Sequence, residues 1–480
     1  MEKLQNFIDG AYRAPIGGTY IDNFEPATGK VYSLIPDSDE RDVELAVEAA
    51  EKAFPIWSKM TTEERSKILV RLSEGIERRM DEFVQAESRD NGKPVSLAAH
   101  VDIPRSVSNF HFFATAITHF SSESHYMEGE GINYTLRKPI GIVGCISPWN
   151  LPLYLFSWKI APALAAGNCV IAKPSEVTPY TAYLLGKVAE EAGMPAGVLN
   201  ILHGLGHKVG DAIVKHKKIK AISFTGGTKT GEYLARTAAP MFKKLSLELG
   251  GKNPVIIFAD CDFEDMLTTT IRSSFSNQGQ ICLCGSRIFI ERSIYDKFKK
   301  AFVEKVDRMV VSNPTDPNSR MGALVSLPHL EKVLSYVELA KEEGGTVLTG
   351  GVKVQLEAPY NEGYYMRPTV IEGLSFDCRT NQEEIFGPVV TITPFDTEEE
   401  ALMMANSTEY GLQTTLWTSD LKRAHRVADQ AQSGIVWINS WMVRDLRTPF
   451  GGMKSSGVGR EGGLEALRFF TEPKNVFIKY

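Results

Sequence analysis

The chain has 480 residues, 43% hydrophobic and 23% charged, with a formal net charge of −6. That length supports two to four structural units around a large buried core, and the mix is that of an ordinary globular protein, which excludes extensive disorder and collagen-like repeats. Both charge signs are spread along the chain with no basic stripe for phosphates, so nucleic acid is not an expected partner; the opening "MEKLQNFIDGAYRAP" lacks an apolar signal core and no window approaches roughly 18 apolar residues, so a cytoplasmic protein without a membrane partner is expected.

In chain order, "FIDGAYR" and "YIDNFEPATGKVYSLIP" read as short strands and turns. "DVELAVEAAEKAFPIWS" and "TEERSKILVRLSEGIERRMDEFVQAESRDNGKP" space their apolar residues three and four apart, which predicts long amphipathic helices. Four apolar strands follow, "GIVGCI", "NCVIAKP", "VLNILHG" and "AISFTGG", separated by helical stretches such as "TAYLLGKVAEEAG". Strands alternating with helices predict right-handed βαβ units and a parallel sheet. A second alternating set runs from "PVIIFAD" to "SGIVWINS". "SSESHYMEGEGINYTLRKP" and the final "LRFFTEPKNVFIKY" stand outside both sets; they alternate with period two and suit either pairing across a subunit interface or a plain surface hairpin.

Three stretches follow strand ends, where α/β sheets bind ligands. "HGLGHKVG" holds Gly204, Gly206 and Gly210, one residue longer than the dinucleotide fingerprint. In "ISFTGGTKTGEYLA", Gly226 and Gly231 would let a phosphate approach a helix start, though a purely structural turn has the same residues. "VIAKPSEVTP" sets Lys173 and Glu176 after a strand, where a lysine can reach ribose hydroxyls and a carboxylate can accept from a 2′-hydroxyl while repelling a 2′-phosphate.

The six cysteines read as thiols rather than as a disulfide framework, and Cys145 and Cys169 lie inside apolar runs. Cys282 and Cys284, in "SNQGQICLCGSR", are different. A metal site would need further ligands, and the nine histidines are scattered, so no metal is expected. A nucleophilic thiol would need partners elsewhere: Asn150 in "SPWNLP" could hold an oxyanion, and Glu248 in "LELGGKN" could serve as a base.

Taken in order, "SPWNLP", "AKPSE", "FTGGTKTG", "LELGGKNP", "GQIC", "EEIFGPV" and "PFGGMKSSGVGREGG" resemble the aldehyde dehydrogenase superfamily over essentially the whole chain, with Glu248 and Cys282 34 positions apart as in that family. The resemblance implies an α/β fold: a Rossmann-type NAD-binding domain from residues 1–118 and 140–250, an α/β catalytic domain over 251–455, and a small β oligomerisation domain from 119–139 and 456–480. It implies Cys282 as nucleophile, Asn150 with the Cys282 N–H as oxyanion donors, and Glu248 as the base that hydrolyses a thioester; relatives that acylate coenzyme A generally lack this carboxylate. It implies NAD as cofactor, with Lys173 and Glu176 at a ribose, Gly206, Gly210, Thr225, Gly226, Gly231 and Leu249 around the dinucleotide, Trp149 as a nicotinamide wall, and Glu384 with Phe386 at the nicotinamide ribose. Cys284 matches a position not required for chemistry.

Arg105 in "DIPRSVSNFHFF" and Arg444 in "NSWMVRDLRTPFGG" fall where that family lines its substrate tunnel. Two buried arginines facing one cavity suit an anionic ligand, unless each pairs locally, Arg105 with Asp102 or Arg444 with Asp445. Both segments resemble those of the 2-aminomuconate and 2-hydroxymuconate semialdehyde dehydrogenases, which implies a semialdehyde carrying a carboxylate, the amino form by preference, with Trp158 and Leu155 as tunnel walls. Betaine, succinic and aliphatic aldehydes are the competing substrates, and a non-catalytic relative of the fold is the non-enzyme alternative. A homo-oligomer, dimer or tetramer, is the family's habit.

Overall fold

The computed structural model describes residues 1–480. An eight-stranded sheet has at its centre five parallel strands in the order Lys244–Glu248, Ile219–Thr225, Ile142–Ile146, Cys169–Lys173, Leu199–Ile201. Ile142–Ile146 and Cys169–Lys173 are buried at every residue, as a sheet covered on both faces requires. One cover is the helix Pro152–Ala165, "PLYLFSWKIAPALA", whose 14 residues are all buried; a helix apolar on every side is stable only inside a core. The amphipathic helix Thr62–Arg78 packs against it, and Glu40–Trp57 packs on the sheet strands themselves; each is opened by a capping box.

A second, seven-stranded sheet is parallel except for the edge strand Thr346–Thr349, and Asn253–Ile257 lies between Gly285–Glu291 and Gln413–Trp417. The two sheets meet in opposite senses. Glu248, Thr225 and Lys173 stand at the carboxyl ends of first-sheet strands, whereas Gly251, Cys282 and Glu384–Phe386 come just before strands of the second.

The two outlying segments pair with each other inside one chain. Thr471–Lys479 runs antiparallel to Gly131–Pro139 over nine residue pairs, with Ser124–Met127 on the other side, so both outer strands remain open edges. The expected boundary at 456 differs from the fold. Gly457–Val458 pairs with Leu247–Glu248 in the first sheet, and the helix Gly463–Phe469 is part of the same unit, its Ala466 and Leu467 being buried in the large core around Pro152–Ala165; only residues from 471 onward reach the small sheet. The returning strand is only two residues long and is followed by Gly459 at φ 87°, too little for a strand pattern to reveal this return.

No helix is long and apolar enough to cross a membrane. No group of three or more His, Cys, Asp or Glu is placed to hold a metal ion. His203 and His207 do stand at H-x3-H spacing, but His203 is wholly buried and His207 exposed.

Candidate active site

Cys282 is delivered by an unusual turn. The helix Phe263–Phe275 ends at Ser276, and Asn277, Gln278 and Gly279 then take φ of 50°, 57° and 69°, three left-handed residues in succession. Two of them carry side chains, for which this conformation is uncommon, so the surroundings must fix it. They do so through side-chain amides. Gln278 Nε2 donates to the Ala323 carbonyl at 2.9 Å, and Gln280 Oε1 accepts from Val325 N at 3.1 Å. Asn277 Nδ2 donates to the Asn150 carbonyl at 2.8 Å. Asn253 Nδ2 grips the carbonyls of both Cys282 and Cys284, at 2.6 and 2.9 Å. The amides around the cysteine pair are thus the scaffold of the loop.

Cys282 lines a cavity of about 260 Å³ together with Trp149, Asn150, Thr225, Gly226, Gly227, Leu249, Gly250, His329, Lys332, Glu384 and Phe386. Burial pushes its thiol up to about 12, helped by Glu384 and Glu248 and opposed by Arg444. Cys284 is buried, its thiol also raised to about 12 by burial, and it lines no part of the cavity. Asn150 Nδ2 donates to the Gln280 carbonyl at 2.9 Å; an amide carries two N–H bonds, and the second is free for an oxyanion. Glu248 is buried with neither oxygen hydrogen-bonded, and burial, then Glu461, raises its carboxyl well above the ordinary range against the pull of Lys159, Arg460 and Arg444.

The structure also tests whether NAD would fit. Gly227 begins the helix Thr228–Ala238, and no atom lies within 4 Å of where its Cβ would stand, so the helix start is open to a phosphate. Thr225 Oγ1, buried beside it, has no partner. Lys173 Nζ pairs with Glu176 Oε2 at 2.9 Å, Gly206 N donates to Glu176 Oε1 at 3.2 Å, and the stem of Lys173 packs on Gly210. The residue in excess of the dinucleotide fingerprint is absorbed by a π-helical turn over Gly206–Gly210. Glu384 Oε1 accepts from Gly251 N at 2.8 Å, and burial raises its carboxyl. Trp149 meets the edge of Phe386 at 5.3 Å and of His329 at 5.0 Å. These groups fit a dinucleotide with its nicotinamide end in the cavity of Cys282.

Two glycines have packing reasons instead of a phosphate-facing one. A Cβ on Gly226 would strike the Phe224 ring at 2.4 Å, and one on buried Gly231 would strike Leu249 Cδ2 at 2.5 Å. Sequence reasoning missed Gly227, which is the open position, and also His329 and Lys332; the only signal for these two was their place on a helix at the cavity edge.

The two arginines line no part of that cavity, although Arg444 is near enough to act on the Cys282 thiol. Neither pairs locally: Asp102 is taken by Lys93 at 2.7 Å and Asp445 by Arg447 at 2.5 Å. Arg105 Nε and Nη2 are buried without partners, and burial, then Arg444, lowers its guanidinium. Arg444 Nη1 donates to Tyr154 Oη at 2.9 Å and lies 3.9 Å from the Phe450 ring. The two guanidinium carbons stand 5.5 and 5.2 Å from the Trp158 ring, so Trp158 lies beside both. Leu155, on the same helix, is buried. Tyr154 and Phe450 were not singled out in the sequence.

The aldehyde dehydrogenase family model matches residues 12–476. The chain belongs to the aldehyde dehydrogenase family. It is an oxidoreductase acting on aldehydes, and NAD is its cofactor. It is 53% identical over 480 residues, 99% of this chain and 98% of the relative, to the 2-aminomuconic semialdehyde dehydrogenase of Mus musculus. It is 47% identical to the 2-hydroxymuconic semialdehyde dehydrogenase of a Pseudomonas strain, CF600, covering all of both chains. Among solved structures, the NAD+ complex of an aldehyde dehydrogenase from Bacillus cereus superposes with a TM-score of 0.97 at 40% identity, covering 100% of this chain and 97% of that one.

Proposed function

We propose that this aldehyde dehydrogenase oxidises 2-aminomuconate 6-semialdehyde, a conjugated semialdehyde with a carboxylate far from the aldehyde, to the dicarboxylate. The observation that carries the reading is the pair of guanidiniums flanking Trp158, with Arg105 left without a partner in the protein. Arg105 is half-buried, and leaving its buried Nε and Nη2 unpaired is costly; a substrate carboxylate would relieve that cost while fixing the aldehyde end toward Cys282. The names of the relatives agree with it.

In this mechanism the Cys282 sulfur, having lost its proton, adds to the aldehyde carbon. The carbonyl oxygen becomes an oxyanion held by the free Asn150 N–H and the Cys282 backbone N–H; losing one such donor costs about 3 kcal/mol of barrier. When bound, NAD supplies the hydride acceptor that converts this adduct to a thioester. Glu248, once ionised, takes a proton from water, whose oxygen attacks the thioester and releases acid and thiolate. Lys173 and Glu176 hold one ribose, the Gly227 helix start the pyrophosphate, and Glu384 and Phe386 the nicotinamide end. The working particle is a cytoplasmic homo-oligomer joined through the edges of the small sheet.

The test is NADH formation with 2-aminomuconate semialdehyde beside 2-hydroxymuconate semialdehyde, succinic semialdehyde, betaine aldehyde and hexanal. The muconic substrates are expected to lead by about ten-fold or more in kcat/KM, about 1.4 kcal/mol, and the R105A/R444A double variant to lose that lead. If hexanal or betaine aldehyde leads, the carboxylate reading fails. The hydroxy form differs by one small group, and its place beside the amino form in the same assay decides between them.

A further inference from the structure

A buried ionic cluster stands behind the oxyanion side of the site. The helix Met80–Asn91 ends on Gly92 in the left-handed conformation, φ 83°, and the chain then turns inward so that Lys93 is fully buried. Its ammonium donates to Asp102 Oδ2 at 2.7 Å and to the Asn150 carbonyl at 3.2 Å, and stands at ion-pair distance, 3.7 Å, from Glu87 Oε1. Both carboxylates are fully buried. Glu87 also accepts, through Oε2, from Leu153 N at 3.3 Å, at the start of the helix that carries Tyr154 and Trp158. The cluster therefore holds the turn from Asn150 to Leu153 at both ends, by a carbonyl and by an amide.

Stability alone does not account for three ionisable groups in this place. Replacing a buried ionic cluster by apolar side chains is often neutral or stabilising, because desolvation offsets most of the attraction. What an apolar replacement cannot reproduce is a donor aimed at one carbonyl. With the Asn150 carbonyl fixed by Lys93 and Asn277, and its side chain tied to Gln280, the direction of the remaining Asn150 N–H is set by rigid groups.

We infer that Lys93 is a positioning residue that holds Asn150 in its oxyanion-binding orientation, with Asp102 and Glu87 holding Lys93. The inference rests on the reading of Asn150 as oxyanion donor, and the experiment separates the two. Single-turnover NADH formation at saturating NAD and aldehyde is measured for wild type, K93M, N150A and K93M/N150A, with NAD affinity from protein fluorescence. K93M is expected to slow the single turnover about 100-fold, the scale of a 1 Å misplacement, with NAD affinity unchanged. In the N150A background K93M is expected to slow it by less than about two-fold, since residues acting through one another are not additive.

An equal loss in both backgrounds, or a K93M rate like that of wild type, overturns the inference. An N150A rate like that of wild type overturns instead the oxyanion role of Asn150. Should K93M not fold, D102N keeps the shape of the cluster and leaves Lys93 in place. It is expected to slow the turnover in the same direction and to add nothing to N150A; a D102N rate equal to wild type overturns the inference.

Discussion

Glu248 combines a functional demand with an unfavourable position. Its carboxyl is raised by burial and by Glu461, so in the folded protein it holds its proton at pH values where the unfolded chain has lost it. A raised folded value contributes stability that is complete below the unfolded value near 4.5 and is lost as pH rises through the folded one. Glu248→Gln removes that loss. The variant is expected to melt at a higher temperature than wild type at neutral pH and to converge with it in acid, measured by thermal unfolding from pH 4 to 8. It is also expected to give one NADH per site in a rapid burst, followed by steady turnover reduced by about 100-fold or more, because only thioester hydrolysis needs the base. Cys282, Asn150 and Glu248 were legible in the sequence because their neighbours are distinctive. The pairing of Asp102 was not. Three positions before Arg105, it left a local ion pair open, whereas Asp102 pairs with Lys93 from the preceding turn.

The strands and most helices followed from periodicity, and the parallel order of both sheets from their alternation. What periodicity could not convey was local departure from it: the left-handed turn at Asn277–Gly279, and the return of Gly457–Phe469 to the first sheet. Both are fixed by contacts with residues distant in the chain, Ala323 and Asn150 in one case and Leu247 in the other. Gly231 shows how an element's packing reaches the cofactor. A methyl group there would push Leu249 Cδ2, which lines the cavity of Cys282. Gly231→Ala is expected to cost about 1–3 kcal/mol of stability by overpacking and to raise the KM for NAD several-fold, with the KM for aldehyde little changed. Thermal unfolding and initial-rate kinetics with each substrate varied in turn check the two parts.

At the scale of the molecule, the small sheet carries exposed Tyr126, Met127, Phe477 and Ile478 on strands with free edges, an arrangement suited to pairing with another copy. A chain ending at Phe470 would strip Gly131–Pro139 of its nine-residue partner. Sedimentation is expected to show a smaller particle than for the full chain, while the two large sheets keep their far-ultraviolet circular dichroism; an unchanged particle would place the interface elsewhere. The return of the chain's end to the first sheet has a consequence in time as well as in space. Lys159, inside the first unit, meets Glu461 at 2.7 Å across 302 positions of chain. At about 5–20 residues per second of synthesis, roughly 15 to 60 s separate the emergence of the two. During that interval Lys159 lacks its counter-charge and burying it is costly, so the core of the first unit is expected to close fully only when the end of the chain arrives.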